Sequence, residues 1–335
     1  MPSFDPFANQ NSVTAVFLGG SITEGHKASS PKTSYVGLVS KYLSDRFAGK
    51  TVACFNAGIG GTGSNFGRLR MARDVLSHGP DLVFVEFAVN DAGRDRRAEM
   101  ESIVRTLMAG EKTPYIVFLY TASRTYSTVT AYHEQVAAHY GIPSVDLQAY
   151  LKEKTGAADP VEAGLFLDSV HPLDGGFAIY AEAIIRALEE PETFRKPKAV
   201  IPLFENSRPC QATFTPSPEL AHSSGWQTET RHRGYACLHA NSPGETVSFS
   251  FDGTLFGMEV GLHRASGVLD VLLDGKPLDT VGAYYDMDSF QCVLGRVFTG
   301  LPDGRHTVTL TLRESTGDHP GSEFVLYHVV TGTEQ

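Results

Sequence analysis

The sequence offers little from which a disulfide scaffold, a membrane anchor or a nucleic-acid surface could be built. Its four cysteines, Cys54, Cys210, Cys237 and Cys292, are widely spaced and form no CxxC pair. Cys54 lies in an apolar, strand-like run and reads as a buried thiol, so a reducing, cytoplasmic setting is expected. The opening MPSFDPFANQNS lacks a basic stretch followed by an apolar one, so no secretory leader is expected, though a trimmed chain would read the same. No apolar run reaches the roughly 18 residues that a membrane span needs. Positive charge is short as well: 28 Lys and Arg face 38 Asp and Glu, a net charge of −10, which argues against nucleic acid or an anionic membrane as the partner. The 12 histidines form no HxH or HExxH, so neither a metal site nor a metal cofactor is expected. Internal repeats, low-complexity tracts and long blocks of like charge are absent.

What is present is a chain of 335 residues, 41% apolar and 20% charged, enough for a sizeable core and for two domains. From Val13 to about Glu190, apolar runs alternate with helical patterns. Strands are expected at Val13–Leu18, Thr51–Asn56, Leu82–Ala88, Tyr115–Tyr120 and Ile142–Asp146. Helices are expected at Tyr35–Phe47, Asn65–Ser77, Arg97–Met108, Thr128–Tyr140 and Gly175–Leu188. That alternation predicts βαβ units and a parallel sheet covered on both faces. Glu86 is the polar exception in the apolar run Leu82–Phe87, and it needs a partner or an edge. After Glu190 the prolines Pro191, Pro197 and Pro202 punctuate a linker, and the helical period gives way to alternation. Strands are expected at Thr246–Phe251, Leu255–Gly261, Val268–Leu273, Val293–Phe298, His306–Leu312 and Phe324–Val330. Asp252-Gly253, Asp274-Gly275 and Asp303-Gly304 mark turns between them. The expected architecture is therefore an α/β domain over residues 1–195, followed by an all-β sandwich or jelly roll over 196–335.

Four places in the α/β half can converge at the carboxyl edge of its sheet, where open α/β sheets bind ligands. The first is the strand–turn Val13 to Gly25, in which Gly19-Gly20 lets the chain turn tightly and presents the Ser21 hydroxyl. Its plainer reading is a loop whose serine caps a helix. The second is the glycine-rich loop Asn56–Ser64, whose unobstructed N–H groups suit developing negative charge. It lacks both the GKS/T ending of a phosphate loop and the GxGxxG spacing. The third is Val89-Asn90-Asp91, an amide donor at a strand end or simply a pair of turn formers. The fourth is Asp168-Ser169-Val170-His171. Three residues apart, Asp168 can face His171 Nδ1 and leave Nε2 as a base toward Ser21.

In this order, the blocks Gly19-Gly20-Ser21-Ile22, Asn56–Ser64, Val89-Asn90-Asp91 and Asp168–His171 resemble those of the SGNH hydrolases, the GDSL-like esterases and lipases. The resemblance covers roughly residues 12–190. It implies a three-layer α/β/α flavodoxin-like fold with Ser21, Gly61, Asn90 and His171 as signature residues. Gly61 is taken by counting from Asn56, with Gly60 one residue away as the alternative. Two departures stand out: Gly20 replaces the aspartate of the usual Gly-Asp-Ser, which leaves open how the Ser21 turn is braced, and Ala88 replaces a glycine.

The resemblance implies a Ser21–His171–Asp168 triad, an oxyanion hole from Ser21, Gly61 and Asn90, and ester hydrolysis through an acyl-enzyme without a cofactor. The polar loops His26–Ser34 and Thr121–Thr128 suit a short acyl group. The β half resembles, loosely, jelly rolls attached to carbohydrate esterases. Trp226, Tyr235, Tyr284 and Tyr285 could stack on sugars, but burial is the expectation for most of them. The expected substrate is an O-acetylated sugar or oligosaccharide. The alternatives are a lysophospholipase, thioesterase or broad short-chain esterase with a structural β domain, a glycan-binding protein on a silent hydrolase fold, and an acyltransferase. Oligomeric state, including a homo-oligomer, stays open.

Overall fold

A computed structural model describes residues 4–286, 291–314 and 321–334. The chain divides into two compact units, Met1–Pro209 and Cys210–Gln335.

The first unit runs β1 (Ser12–Gly19), α1 (Ser21–Glu24), α2 (Tyr35–Arg46), β2 (Thr51–Gly58), α3 (Ser64–Gly67), α4 (Met71–Asp74), β3 (Leu82–Glu86), α5 (Arg97–Ala109), β4 (Tyr115–Tyr120), α6 (Thr130–Tyr140), β5 (Ser144–Asp146), α7 (Leu147–Thr155) and α8 (Asp174–Glu189). Among the described residues its strands form a parallel sheet of order β2-β1-β3-β4-β5. Side-chain alternation along the strands loads both faces. Phe17 and Phe84, stacked with ring centroids 4.6 Å apart, point to one side and pack with Tyr35 and Val39 of α2, Leu151 of α7 and Ile184 of α8. Val16, Val83 and Val85 point to the other and pack with Ile103 and Val104 of α5 and Val136 of α6. This is the expected α/β/α layering.

Several local expectations need correction. The Asn65–Ser77 helix is broken into α3, α4 and a 3₁₀ turn, Leu76–His78. The chain pivots at Arg70, whose guanidinium turns inward to the carbonyls of Gly19 and Ala57 instead of lying along a continuous helix. β3 stops at Glu86, not Ala88, because the chain turns there, with Asp91 N–H donating to Phe87 O at 2.9 Å. The helix α7 is not in the sequence reading, although its cap is legible: Asp146 accepts from Ala149 N–H at 2.8 Å, and Gly156 closes it in the left-handed conformation. Cys54 is half-buried rather than buried, since β2 is the edge strand of the sheet.

The first compact unit also extends past residue 195, to Pro209. The fully buried Glu101 of α5 fixes the proline-punctuated segment, accepting from Leu203 N–H (2.7 Å), Phe204 N–H (2.9 Å) and Tyr140 O–H (2.8 Å). A buried carboxylate with three donors is satisfied only if that segment docks.

The second unit comprises β6 (Cys210–Pro216), β7 (Ala221–His222), β8 (Gln227–Thr230), β9 (Ala236–Ala240), β10 (Thr246–Gly253), β11 (Leu255–Leu262), β12 (Val268–Leu273), β13 (Lys276–Gly282), β14 (Gln291–Phe298), β15 (Gly304–Leu312) and β16 (Phe324–Glu334). Among the described residues they form two antiparallel sheets, of orders β13-β12-β15-β10-β7 and β14-β11-β16-β9-β8, with β6 paired to β16. Val247, Leu269 and Leu310 of one sheet share a core with Phe256, Met258 and Leu326 of the other, so the unit is a β-sandwich. Asp274-Gly275 closes the β12–β13 hairpin with positive φ at both positions, 51° and 75°. Strands β6 to β9 and β13 go beyond the sequence reading. They are short or polar, and their alternation is weak. Of the four candidate stacking aromatics, Trp226 is buried and Tyr235 half-buried, while Tyr284 and Tyr285 are exposed.

Candidate active site

Strand β1 ends in Gly19, and α1 begins at Ser21. The Ser21 Oγ lies 2.8 Å from His171 Nε2. His171 comes from the loop just before α8, and its Nδ1 is 2.8 Å from Asp168 Oδ2 and 3.0 Å from Oδ1. Asp168 Oδ1 also accepts the N–H groups of Val170 and His171, each at 2.9 Å. The carboxylate is thus held by the same short turn that carries the imidazole. Burial pushes the Asp168 carboxyl up, but those N–H groups and the His171 ring outweigh it and hold the group below the usual carboxylate range. With a carboxylate on Nδ1, the ring keeps its proton there and presents Nε2 to Ser21 as an acceptor.

Asn90 and the glycine loop flank the same serine. A Cβ on Gly20 would run into the Asn90 side chain, and one on Gly60 would lie 3.7 Å from Ser21 Cβ. In this chain the Asn90 amide fills the space that a side chain at position 20 would take. Asn90 Oδ1 is buried with no hydrogen-bond partner among the described residues. In the loop, Gly60 N–H donates to Glu24 Oε2 at 2.9 Å, and Gly61 adopts φ 72°. Among the described residues no partner is found for the N–H of Gly61 or for Asn90 Nδ2. Asn56 ties this loop to α1, donating from Nδ2 to Thr23 O at 2.8 Å and accepting from Gly58 N–H at 2.8 Å.

The structure therefore brings Ser21, His171 and Asp168 into one hydrogen-bonded line, with Asn90 and the glycine loop beside it. Further residues lie around this line, among them members of the two polar loops, His26–Ser34 and Thr121–Thr128, that the sequence reading assigned to the cleft. His26 stands edge-on to His171, ring centroids 4.6 Å apart, and burial, then the neighbouring His171, lowers its basicity. Its loop is pinned by Asp174, which accepts from Ser29 N–H (2.8 Å) and Thr33 O–H (2.9 Å). The 121–128 loop reaches the same segment, with Arg124 N–H on Ser169 O at 2.7 Å. Glu86, flagged as an exception in sequence, is fully buried beneath the Ser21 turn. Among the described residues no group of three or more His, Cys, Asp or Glu side chains could hold a metal ion. Among them, too, no helix is long and apolar enough to cross a membrane.

Residues 17–179, which carry all of these groups, match the GDSL-like Lipase/Acylhydrolase family. The segment belongs to that family. The chain is on this ground a carboxylic ester hydrolase. No curated protein sequence matches the chain. Among solved structures it is similar to a two-domain esterase (CEX) active on acetylated mannans, co-crystallised with mannopentaose. The TM-score is 0.80 at 24% identity, over 97% of this chain and 91% of that one. A second structure of a two-domain esterase (CEX) active on acetylated mannans gives a TM-score of 0.79 at 24% identity, over 97% and 92%. Axe2, an acetylxylan esterase from Geobacillus stearothermophilus, matches over 52% of this chain and 93% of its own length, at 23% identity and a TM-score of 0.44. The two CEX structures are likenesses of fold.

Proposed function

We propose that the protein is a serine esterase that removes short acyl groups, acetyl above all, from an O-acylated carbohydrate. The observation that carries this reading is the continuous relay from Ser21 Oγ through the His171 ring to Asp168, with both links at 2.8 Å. Ser21 is the nucleophile. Its proton passes to His171 Nε2 as Oγ attacks the ester carbonyl. The tetrahedral intermediate collapses when the C–O bond to the sugar breaks, and the departing oxygen takes that proton. Water then attacks the acyl-enzyme, giving its proton to His171, which returns it to Ser21 Oγ as the carboxylic acid leaves. The cycle closes with water alone and needs no cofactor.

Asp168 keeps the His171 tautomer and stabilises the imidazolium. The oxyanion is held by the N–H groups of Ser21 and Gly61 and by Asn90 Nδ2. Gly61 is preferred over Gly60 because the Gly60 N–H already donates to Glu24. The carbohydrate part of the reading is supported by the fold shared with an esterase active on acetylated mannans, across both compact units. Acetate release from acetylated manno-oligosaccharides, compared with 4-nitrophenyl acetate and octanoate, tests it. Wild type is expected to favour the sugar acetate, and Ser21→Ala to release none. Retention of hydrolysis by Ser21→Ala, or a preference for octanoate, would overturn it.

A further inference from the structure

Two fully buried ionisable side chains, Arg70 and Glu86, are bonded into the turn that carries Ser21. The Gly19 carbonyl accepts from Arg70 Nη2 at 2.9 Å and from Ile59 N–H at 3.0 Å. The same guanidinium donates from Nη1 to Ala57 O at 2.6 Å, so Arg70 links the ends of β1 and β2. Asp74 Oδ2 accepts from that nitrogen at 2.9 Å. The second group is Glu86, which accepts from Thr23 O–H of α1 at 2.9 Å and from Thr121 O–H at 2.8 Å. Because Thr23 gives its proton to Glu86, the Tyr35 hydroxyl, 2.7 Å away, donates to Thr23. Arg70 and Glu86 are both fully buried.

Packing alone does not call for this arrangement. Burying a carboxylate or a guanidinium is costly unless each is fully hydrogen-bonded, and apolar residues fill such space as well or better. Here both groups are bonded into the short turn that sets the serine, at the Gly19 carbonyl and at Thr23, and its first peptide unit is Gly19–Gly20. That unit has no side chains of its own with which to brace itself: a Cβ on Gly19 would strike Thr23, and one on Gly20 would strike Asn90. We propose that Glu86 and Arg70 are positioning residues for the reaction. Holding the Gly19 carbonyl and the Thr23 hydroxyl, before and after Ser21 in the turn, they fix the direction of Ser21 Oγ toward His171 and of Ser21 N–H toward the oxyanion. The proposal rests on the esterase reading above. It also accounts for how a Gly-Gly-Ser turn is braced without the usual aspartate.

The test is Glu86→Gln, which keeps the shape and removes the charge, beside Val104→Ala, a core variant of α5 that controls for lost stability alone. In Glu86→Gln, kcat on 4-nitrophenyl acetate is expected to fall about tenfold or more, since sub-ångström misplacement of a nucleophile is amplified in rate. KM is expected to stay within about threefold. A crystal structure of the variant is expected to show Ser21 Oγ drawn away from the 2.8 Å contact with His171 Nε2. A Glu86→Gln enzyme that turns over like Val104→Ala, with that contact intact, overturns the proposal. If Glu86→Gln does not fold, Arg70→Lys, which keeps the charge but loses the fork, is read by the same two criteria. Should Ser21→Ala retain hydrolysis, the esterase reading fails, while the Ser21–His171 separation in the variant still decides the positioning.

Discussion

His133 Nε2 and Asp91 Oδ2 lie 3.0 Å apart, with each side chain only 1% exposed. Through its other oxygen Asp91 accepts from Ser64 N–H at 3.0 Å, so one carboxylate joins α6, the start of α3 and the turn that carries Asn90. An Asn-Asp pair that would serve as a turn on a protein surface is here a strut behind the glycine loop. His133→Phe leaves one buried oxygen of Asp91 without a donor. Such a loss is expected to lower stability by about 1–3 kcal/mol, read from urea or thermal unfolding. Asp91→Asn, which keeps one acceptor, is expected to lose less. Unchanged stability in His133→Phe would mean that the pair bears no load.

Asn90 has a sharper role. Its amide packs against Gly20 and its Oδ1 is buried and unpartnered; in the mechanism we propose, its Nδ2 donates to the oxyanion. Removing one oxyanion donor costs about 10²–10³ in kcat. Asn90→Ala is therefore expected to lose turnover by that factor while the unfolding midpoint stays close to wild type. Rates of 4-nitrophenyl acetate hydrolysis, set against calorimetry on the same preparations, check both halves. A small rate loss would place the oxyanion elsewhere.

How much of this could be read in the sequence depends on how local each signal is. β1, β3 and β4 are continuous apolar runs, and their positions follow from that alone; Tyr115–Tyr120 is found where it was expected. Asp168 and His171 are three residues apart on one turn, so their contact is a local matter. Arg70 could not be found this way. Its basic side chain in a helix-like stretch gives the same pattern as a solvated face, and only the fold shows that it points inward at two strand ends. Glu86 was visible as an anomaly, but its partners Thr23 and Thr121 lie 63 and 35 residues away. The reach of the first unit to Pro209 was hidden for the same reason: it depends on Glu101, more than a hundred residues earlier in the chain. In the second unit, the β12–β13 hairpin with its Asp274-Gly275 turn was legible, whereas Asp252-Gly253 and Asp303-Gly304 join strands of different sheets, and short polar strands such as Gln227–Thr230 form only because β9 supplies their partner.

The pH dependence of stability should carry a signature from His306 in β15. The ring is buried, with Nδ1 2.8 Å from Asp274 Oδ2 and Nε2 2.8 Å from the carbonyl of Pro302. Both neighbours can only accept, so both contacts are hydrogen bonds only when the imidazole carries two protons. The Pro302 carbonyl, and then Asp274, accordingly raise the His306 pKa above its ordinary 6.5. A raised value in the folded state means that the folded chain binds the proton more tightly than the unfolded one. The stabilisation is complete below about pH 6.5, the unfolded value, and is lost as pH rises through the folded one. Asp274 bounds the acid side: the His306 ring and Thr307 N–H hold its carboxyl low, so its share is lost as pH falls below the carboxylate range. His306→Gln removes the titrating group. The difference in Tm between wild type and His306→Gln is therefore expected to be largest between about pH 5 and 6.5 and to shrink toward pH 8, followed by calorimetry at constant ionic strength. A difference that grows with rising pH would mean that the folded protein holds this ring neutral, and the Pro302 and Asp274 contacts would have to be read otherwise.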